Sequence, residues 1–355
     1  MRILSIKINA VIIIMGNSES IQYEKRGTLS VEFNLLPSYK NRSYGVINRD
    51  NIYKILGLIS SIDFGFMGTE MRERDRDRES VVVPTIGESP PPPKYVDLRG
   101  EMPMVPQCRP VYIQDSPISM NGIATVLSAL HYQLLRQNLP VFPPSRYYVG
   151  RYLTYYERPT QLYTLESVFE TIREVGLCAE TEYGRDDLEE LKEADSITQE
   201  KAESFRYIDV YHCENSSETM KLLLDNKQPI IVNCVLYTHP SKIINRLNIP
   251  DSDERPLGGM SFLLVGYMEE RQYFIAMTTL GKEFGASGFV YIPYAYLTNP
   301  DLCPEKYVIL FNRVRVEGNI QQKKQIRVAE TDVLVHTRER ESVYKANDGW
   351  ERLFS

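Results

Sequence analysis

The chain has 355 residues, 43% of them hydrophobic and 25% charged, a balance that suits a globular protein with a buried core and excludes a fibre or a disordered tail. Its 41 basic and 47 acidic residues leave a net charge of −6, which offers no general attraction for phosphate backbones and excludes nucleic acid as the expected partner. The five cysteines, Cys108, Cys178, Cys213, Cys234 and Cys303, show no CxxC spacing, so neither a disulfide framework nor a zinc site is expected, and a reducing compartment without cofactor or metal is the simpler reading.

The opening stretch, MRILSIKINAVIIIM, carries a short apolar run but no small-residue cleavage site after it, and no segment reaches the roughly 18 apolar residues that a membrane-spanning helix needs. MGNSES follows. Translation from Met15 would make this M-G-x-x-x-S, with Gly16 as the acceptor for N-myristoylation and Ser20 at the favoured position. One acyl chain gives marginal, reversible membrane contact. As an internal residue Gly16 carries no acyl group.

SVEFNLL (30–36) reads as a strand and NIYKILGLISSI (51–62) as a helix. MRERDRDRES (71–80) sums to zero charge, as a solvated helix or linker does, and PPPP (90–93) is a stiff extended spacer. These features set residues 1–93 apart as an N-terminal extension with a Pro-rich linker. The main domain is expected over 94–315 and a C-terminal extension over 316–355.

Within the domain, residues 119–138 place Ile123, Val126, Leu127, Leu130 and Leu134 on one helical face, with Ser116 as cap and Pro117 in the first turn. RYYVGRYLTYYERP (146–159) is either an exposed aromatic surface or a helix with its own packed face. Further helices are predicted over 164–177, ending near Gly176, and over 216–228, capped by serine with Glu218 in the first turn. The texture then changes to strands: PIIVNCVLY, SFLLVGYME, QYFIAMTT, GFVYIPYAYL and KYVILFNRV. Helices followed by an antiparallel sheet make an α+β arrangement of two subdomains with a cleft between them. The segment from 314 reads as a strand-rich arm, with Trp350 near its end.

YVDLRGEMPMVPQCRPVYIQDSPISMNGIATVLSAL resembles the opening of the papain-like, C1-type cysteine proteases, where D-x-R leads to an oxyanion-hole glutamine and a nucleophilic cysteine at the start of the central helix. PLGGMSFLLVGYMEERQYFIAMTTLGKEFGASGFVYIPYAYL is similar to the family's Gly-His-Ala-Val-x-x-Val-Gly-Tyr strand and its Asn-Ser-Trp-Gly turn. The match covers about 95–312 and resembles most the divergent members found in large DNA viruses. It implies a papain-like two-subdomain fold with N- and C-terminal extensions.

Placed on that pattern, the nucleophile falls on Met120, the general-base histidine on Met260 and the orienting asparagine on Thr278, with Leu280 in place of tryptophan. The oxyanion-type glutamine is retained as Gln114. A thioether forms no thiolate and carries no proton, so Met120, Met260 and Thr278 read as vestigial positions without catalytic residues. Of the four histidines, His131 lies about three helical turns beyond Met120, while His239 and Cys234, or His212 and Cys213, point to opposite faces of an extended chain. His336 sits in a polar tail. Met120 and Met260 are expected to face each other across the cleft and plug it. Two thioethers without a nearby cysteine make a poor Cu(I) site.

The expected function is therefore that of a pseudoprotease, no enzyme, serving as a structural or interaction component. The viral resemblance places it in the virion, as a minor capsid protein of a large DNA virus, or in host cytoplasm. Its partners would be other capsid or virion proteins, with membrane contact only through an acyl chain. The alternatives are a cysteine-protease-like hydrolase with a non-standard nucleophile, revealed by thiol- or serine-directed probes, and a peptide-binding decoy that uses the residual cleft.

Overall fold

The computed structural model describes residues 44–49, 51–52, 93–103, 106–108, 111–113, 116–118, 120–156, 164–238, 243–323 and 325. Gly16, the strand over 30–36, most of the helix over 51–62, the charged stretch over 71–80, Gln114, His239, His336 and Trp350 lie outside them.

The centre is a mixed sheet of eight strands among the described residues. Its order is β1 (Gly45–Ile47), β5 (Ile208–Cys213), β10 (Glu305–Phe311), β6 (Ile230–Leu236), β7 (Gly258–Met268), β8 (Tyr273–Met277) and β9 (Phe289–Pro293). β2 (Tyr95–Asp97) pairs with the far end of β7. All pairings are antiparallel except β1 with β5. The strand run predicted from sequence and the α+β class are therefore both present. β7 is long because two strands share one of its edges: Gly258 to Leu264 pair with β6, and Gly266 to Met268 pair with β2, while β8 takes the other edge. Gly266 is where this works, since a Cβ there would collide with the Val96 carbonyl.

Period-two alternation divides the sheet between two cores. On one face Ile231, Leu263, Val265, Tyr307 and Ile309 pack under α1 (Asn121–Arg136), α2 (Arg146–Tyr156) and α3 (Leu165–Val175). The short helices α4 (Arg185–Glu189) and α5 (Ser196–Glu203) complete this layer. On the other face Val232, Phe262, Leu264, Phe274 and Val308 pack with α6 (Ser217–Asp225) and α7 (Tyr294–Leu297). A short hairpin, β3 (Val111–Ile113) and β4 (Ser116–Ile118), precedes α1.

The helix boundaries follow local chemistry. Thr164 caps α3 through Ser167 N, and Gly176 closes it at φ 76°. Ser216 caps α6 through Thr219 N, with Glu218 in the first turn. α1 differs from expectation. Ser116 and Pro117 belong to β4, and the residue ahead of the helix is Met120, which makes no side-chain cap. In α2, Tyr147, Tyr148 and Leu153 are buried, so this stretch has a packed face rather than a wholly exposed aromatic surface.

The extensions join the domain at both ends. β1 lengthens the sheet, and Ile47 and Ile52 are fully buried in its core. Beyond β10 the chain is helical over 313–323, with Val316 buried. In its described part, this segment is thus a helix and not the strand-rich arm expected. Among the described residues no helix is long and apolar enough to cross a membrane.

Candidate functional site

The site lies where the start of α1 meets β7 and the turn after β8. Asn121 makes the junction. Its amide nitrogen donates to Ser261 O at 3.1 Å and to Thr279 Oγ1 at 2.8 Å, and its Oδ1 accepts from Ser261 N at 2.7 Å. Those bonds bring residues 120, 260 and 278, which the sequence pattern aligned, into one neighbourhood. The tryptophan position, Leu280, is part of the same turn: Gln107 bridges Leu280, and Gly281 N donates to Pro106 O at 3.0 Å. Gly281 holds a φ of 84° with Gln107 against it, a conformation that favours glycine.

Met120 and Met260 do not plug the cleft face to face as expected. Met120 packs into the core under the helices, against α2, where a Cβ on Gly150 would lie 3.0 Å from its Cε. Met260 belongs to the core on the opposite face. The reason is strand alternation: Ser261, not Met260, points toward α1, its Oγ 3.8 Å from where a Gly122 Cβ would sit. Directly across from Met260 is Cys234 on β6, so the expectation that no cysteine lies nearby is also corrected. Thr278 is fully buried, and its Oγ1 accepts from Leu280 N at 3.3 Å.

A polar chain leads inward from Asn121. Ser261 Oγ donates to Asn233 Oδ1 at 3.4 Å, and Asn233 Nδ2 donates to Glu305 Oε2 at 2.8 Å. Burial pushes the Glu305 carboxyl above its ordinary range, the Glu166 carboxylate adds to this, and the Asn233 amide opposes it. Composition and spacing gave no sign of this buried carboxylate. Its signal is only the polar Asn233 and Ser261 inside otherwise apolar strands.

The thiol at this junction is Cys108, half-buried, while the other four cysteines are buried. Its backbone N–H donates to Thr279 O at 2.8 Å. Its Sγ lies 3.8 Å from Met120 O and 3.6 Å from Arg146 Nη1. Burial pushes the thiol up, and the Arg146 guanidinium works in the opposite direction. Arg146 is fixed by Tyr147 Oη at 3.0 Å and Glu180 at 3.3 Å. Neither described histidine joins this group. His131 lies on α1, where burial lowers its pKa, and His212 packs on Tyr307 with ring centroids 4.7 Å apart.

No protein-family model matches the chain. Among solved structures it is similar to xylellain, a cysteine protease from Xylella fastidiosa, with a TM-score of 0.52 at 20% identity, over 62% of this chain and 87% of that one. The fold is papain-like. Procathepsin L 3 of Tenebrio molitor larval midgut also aligns, with a TM-score of 0.43 at 18% identity, over 62% of this chain and 71% of that one. The papain-like chain further resembles an uncharacterized peptidase C1-like protein of Acanthamoeba polyphaga mimivirus, at 24% identity over 195 residues. That match takes in 50% of this chain and spans 62% of the length of the relative.

These findings correct the expectation of a non-enzyme. The relatives are named a peptidase and a cysteine protease. The substitutes weighed beyond Met120, Met260 and Thr278 are the four histidines with Cys234 and Cys213, and Cys108 is not among them. The junction also holds a thiol away from the aligned catalytic positions, Cys108, beside a guanidinium and the Met120 carbonyl at the head of α1.

Proposed function

We propose that this papain-like chain is a thiol hydrolase of the peptidase type, directed at an extended peptide, with Cys108 as its nucleophile. The observation that carries the reading is the placement of Cys108 Sγ between Arg146 Nη1 and the backbone that opens α1. Burial leaves the Cys108 thiol above its ordinary range, and Arg146 offsets part of that by favouring the thiolate electrostatically.

Labelling with a thiol-directed electrophile, followed by cleavage of a peptide library, tests this. The wild type is expected to be labelled at Cys108 and to cleave peptides, and Cys108→Ser to lose both. Labelling of the folded protein only at the rate of an unhindered, unactivated thiol, with no cleavage, overturns it.

A second reading concerns the setting: a peptide-engaging component of a large DNA virus particle, acting on or holding capsid or virion proteins. The resemblance to a mimivirus protein supports it. Detection of the chain in purified particles, rather than only in infected-cell extract, is the corresponding test.

A further inference from the structure

Behind β7, on the face away from the cleft, three side chains form a group that the hydrolase reading does not use. Cys234 on β6 is 1% exposed and Cys303, just ahead of β10, is fully buried. Cys234 and Cys303 stand beside each other in the same core, and the Cys303 Sγ donates to Glu305 O at 3.7 Å. Their backbones are tied at the adjoining residues, Val235 N donating to Leu302 O at 2.8 Å. Tyr296 Oη donates to Val235 O at 2.5 Å, so the turn over 296–303 is fastened onto β6 at two consecutive groups. Both cysteines are free thiols.

The third member is Lys306, only 5% exposed. Its Nζ donates to Cys303 O at 2.5 Å, and no carboxylate among the described residues lies within ion-pair reach of it. A buried ammonium without a counter-ion is costly, and a thiolate beside it relieves that cost. Cys303 is the sulfur so placed: the Cys234 S–H and the Lys306 charge both favour its ionised form, against the burial that opposes it.

We infer that Cys303 and Cys234 form an oxidation site for a small peroxide, closing to a disulfide that staples β6 to the turn ahead of β10. The inference is independent of the cleft reading, because these sulfurs pack on the other face of the sheet from Ser261 and α1. The Cys303 thiolate attacks one peroxide oxygen, the O–O bond breaks, and the departing hydroxide takes a proton to become water, leaving a sulfenic acid. The Cys234 sulfur then gives up its proton and attacks the sulfenic sulfur. The S–O bond breaks, the S–S bond forms, and the hydroxyl leaves with that proton as a second water. Two thiols are oxidised by two electrons, and one peroxide is reduced to two waters.

Access comes through the turn itself, where Pro300 and Asp301 are exposed a few residues from Cys303. Opening of that turn gates the rate. Because Cys234 faces Met260 across the β6–β7 pair, the bridge lies against the strand whose next residue, Ser261, holds Asn121 at the head of α1.

The test uses the full reduced chain, hydrogen peroxide as oxidant, alkylation of the remaining thiols, and mass mapping of the digest. The expected result is one cross-linked species joining the Cys234 and Cys303 peptides, reversed by a dithiol reductant, and a higher melting temperature for the oxidised form. Cys234→Ser should leave a sulfenic acid at Cys303 that a diketone trap captures, and Lys306→Met should slow bridge formation by about tenfold. If Cys234 and Cys303 both remain alkylatable after unfolding, while Cys108 in the same sample is fully oxidised, the inference is overturned. A bridge between any other pair overturns it equally, and this wild-type readout stands even if a variant fails to fold.

Discussion

Asn121 and Ser261, 140 residues apart in the chain, hold each other by two hydrogen bonds, Ser261 N to Asn121 Oδ1 at 2.7 Å and Asn121 Nδ2 to Ser261 O at 3.1 Å. A third bond from the same amide reaches Thr279 Oγ1 at 2.8 Å. One side chain therefore fixes the head of the central helix to two separate parts of the sheet, as a peptide group would in a strand pair. Asn121→Ala leaves the Ser261 backbone groups without these partners. The expected cost is about 2–4 kcal/mol, from the net value of several hydrogen bonds and the penalty for unmet buried groups. Urea unfolding measures it, and a loss below about 0.5 kcal/mol would show that water replaces the amide freely.

Gly150 and Met120 form a size-matched pair. A Cβ at 150 would sit 3.0 Å from Met120 Cε and 3.4 Å from Leu188 Cδ2. Gly150→Ala is expected to change stability by less than about 1 kcal/mol, because the flexible thioether yields and the helix gains from alanine. Gly150→Leu should cost about 2 kcal/mol or more through overpacking. Combining it with Met120→Ala should recover most of that loss, a coupling that a double-mutant cycle reads directly.

The papain-like frame was legible because its signals are local and repetitive. The apolar stripe of Ile123, Val126, Leu127, Leu130 and Leu134 predicted α1, and Gly176, or Ser216 with Glu218, marked helix ends by their own chemistry. Strand alternation gave β6 to β10, but it started β7 at Ser261 instead of Gly258, ran β9 on into α7 and carried β10 past Phe311. What was not legible depends on which way a side chain turns. The pattern placed Met120 and Met260 at matching positions, but Ser261 takes the face toward α1, so the two thioethers go to different cores. Cys108 was missed because nothing in VPQC announces that Arg146, 38 residues later, will stand beside it. Glu305 was hidden for the same reason, since its partner Asn233 lies 72 residues away. β1 escaped notice because three residues carry too little pattern, and its strand partner β5 is distant in sequence.

Glu305 gives a pH prediction of definite sign. Its folded pKa is raised above the unfolded value, chiefly by burial, so ionising it opposes folding. The chain should gain stability as pH falls through the folded pKa of Glu305, until the unfolded-state carboxyl also protonates. Glu305→Gln keeps an acceptor for Asn233 and removes the charge. It should raise the melting temperature at pH 7 and abolish that portion of the pH dependence. A lower melting temperature at pH 7 would mean that the ionised carboxylate is needed.

Asp97 works in the opposite direction. Hydrogen bonds from Arg99, the nearer at 2.7 Å, hold its carboxyl at about 2. A folded pKa below the unfolded value of about 3.9 contributes stability that is present above pH ~4 and is lost as pH falls through about 2. The pair is partly exposed, so its contribution is about 0–1 kcal/mol. Asp97→Asn should flatten stability over that acid window, lowering it by the same about 0–1 kcal/mol above pH ~4 and leaving it unchanged at the acid end, which thermal melts across pH ~2–7 would show.

The direct test of the account is the reactivity of Cys108 in the folded full-length chain, followed with a thiol-directed electrophile alongside a peptide-library digest, for wild type, Cys108→Ser and Arg146→Met. The hydrolase reading predicts selective modification of Cys108, peptide cleavage that is absent in Cys108→Ser, and both rates reduced severalfold or more in Arg146→Met. Cleavage that persists in Cys108→Ser, or a wild type that modifies slowly and cuts nothing, would contradict it.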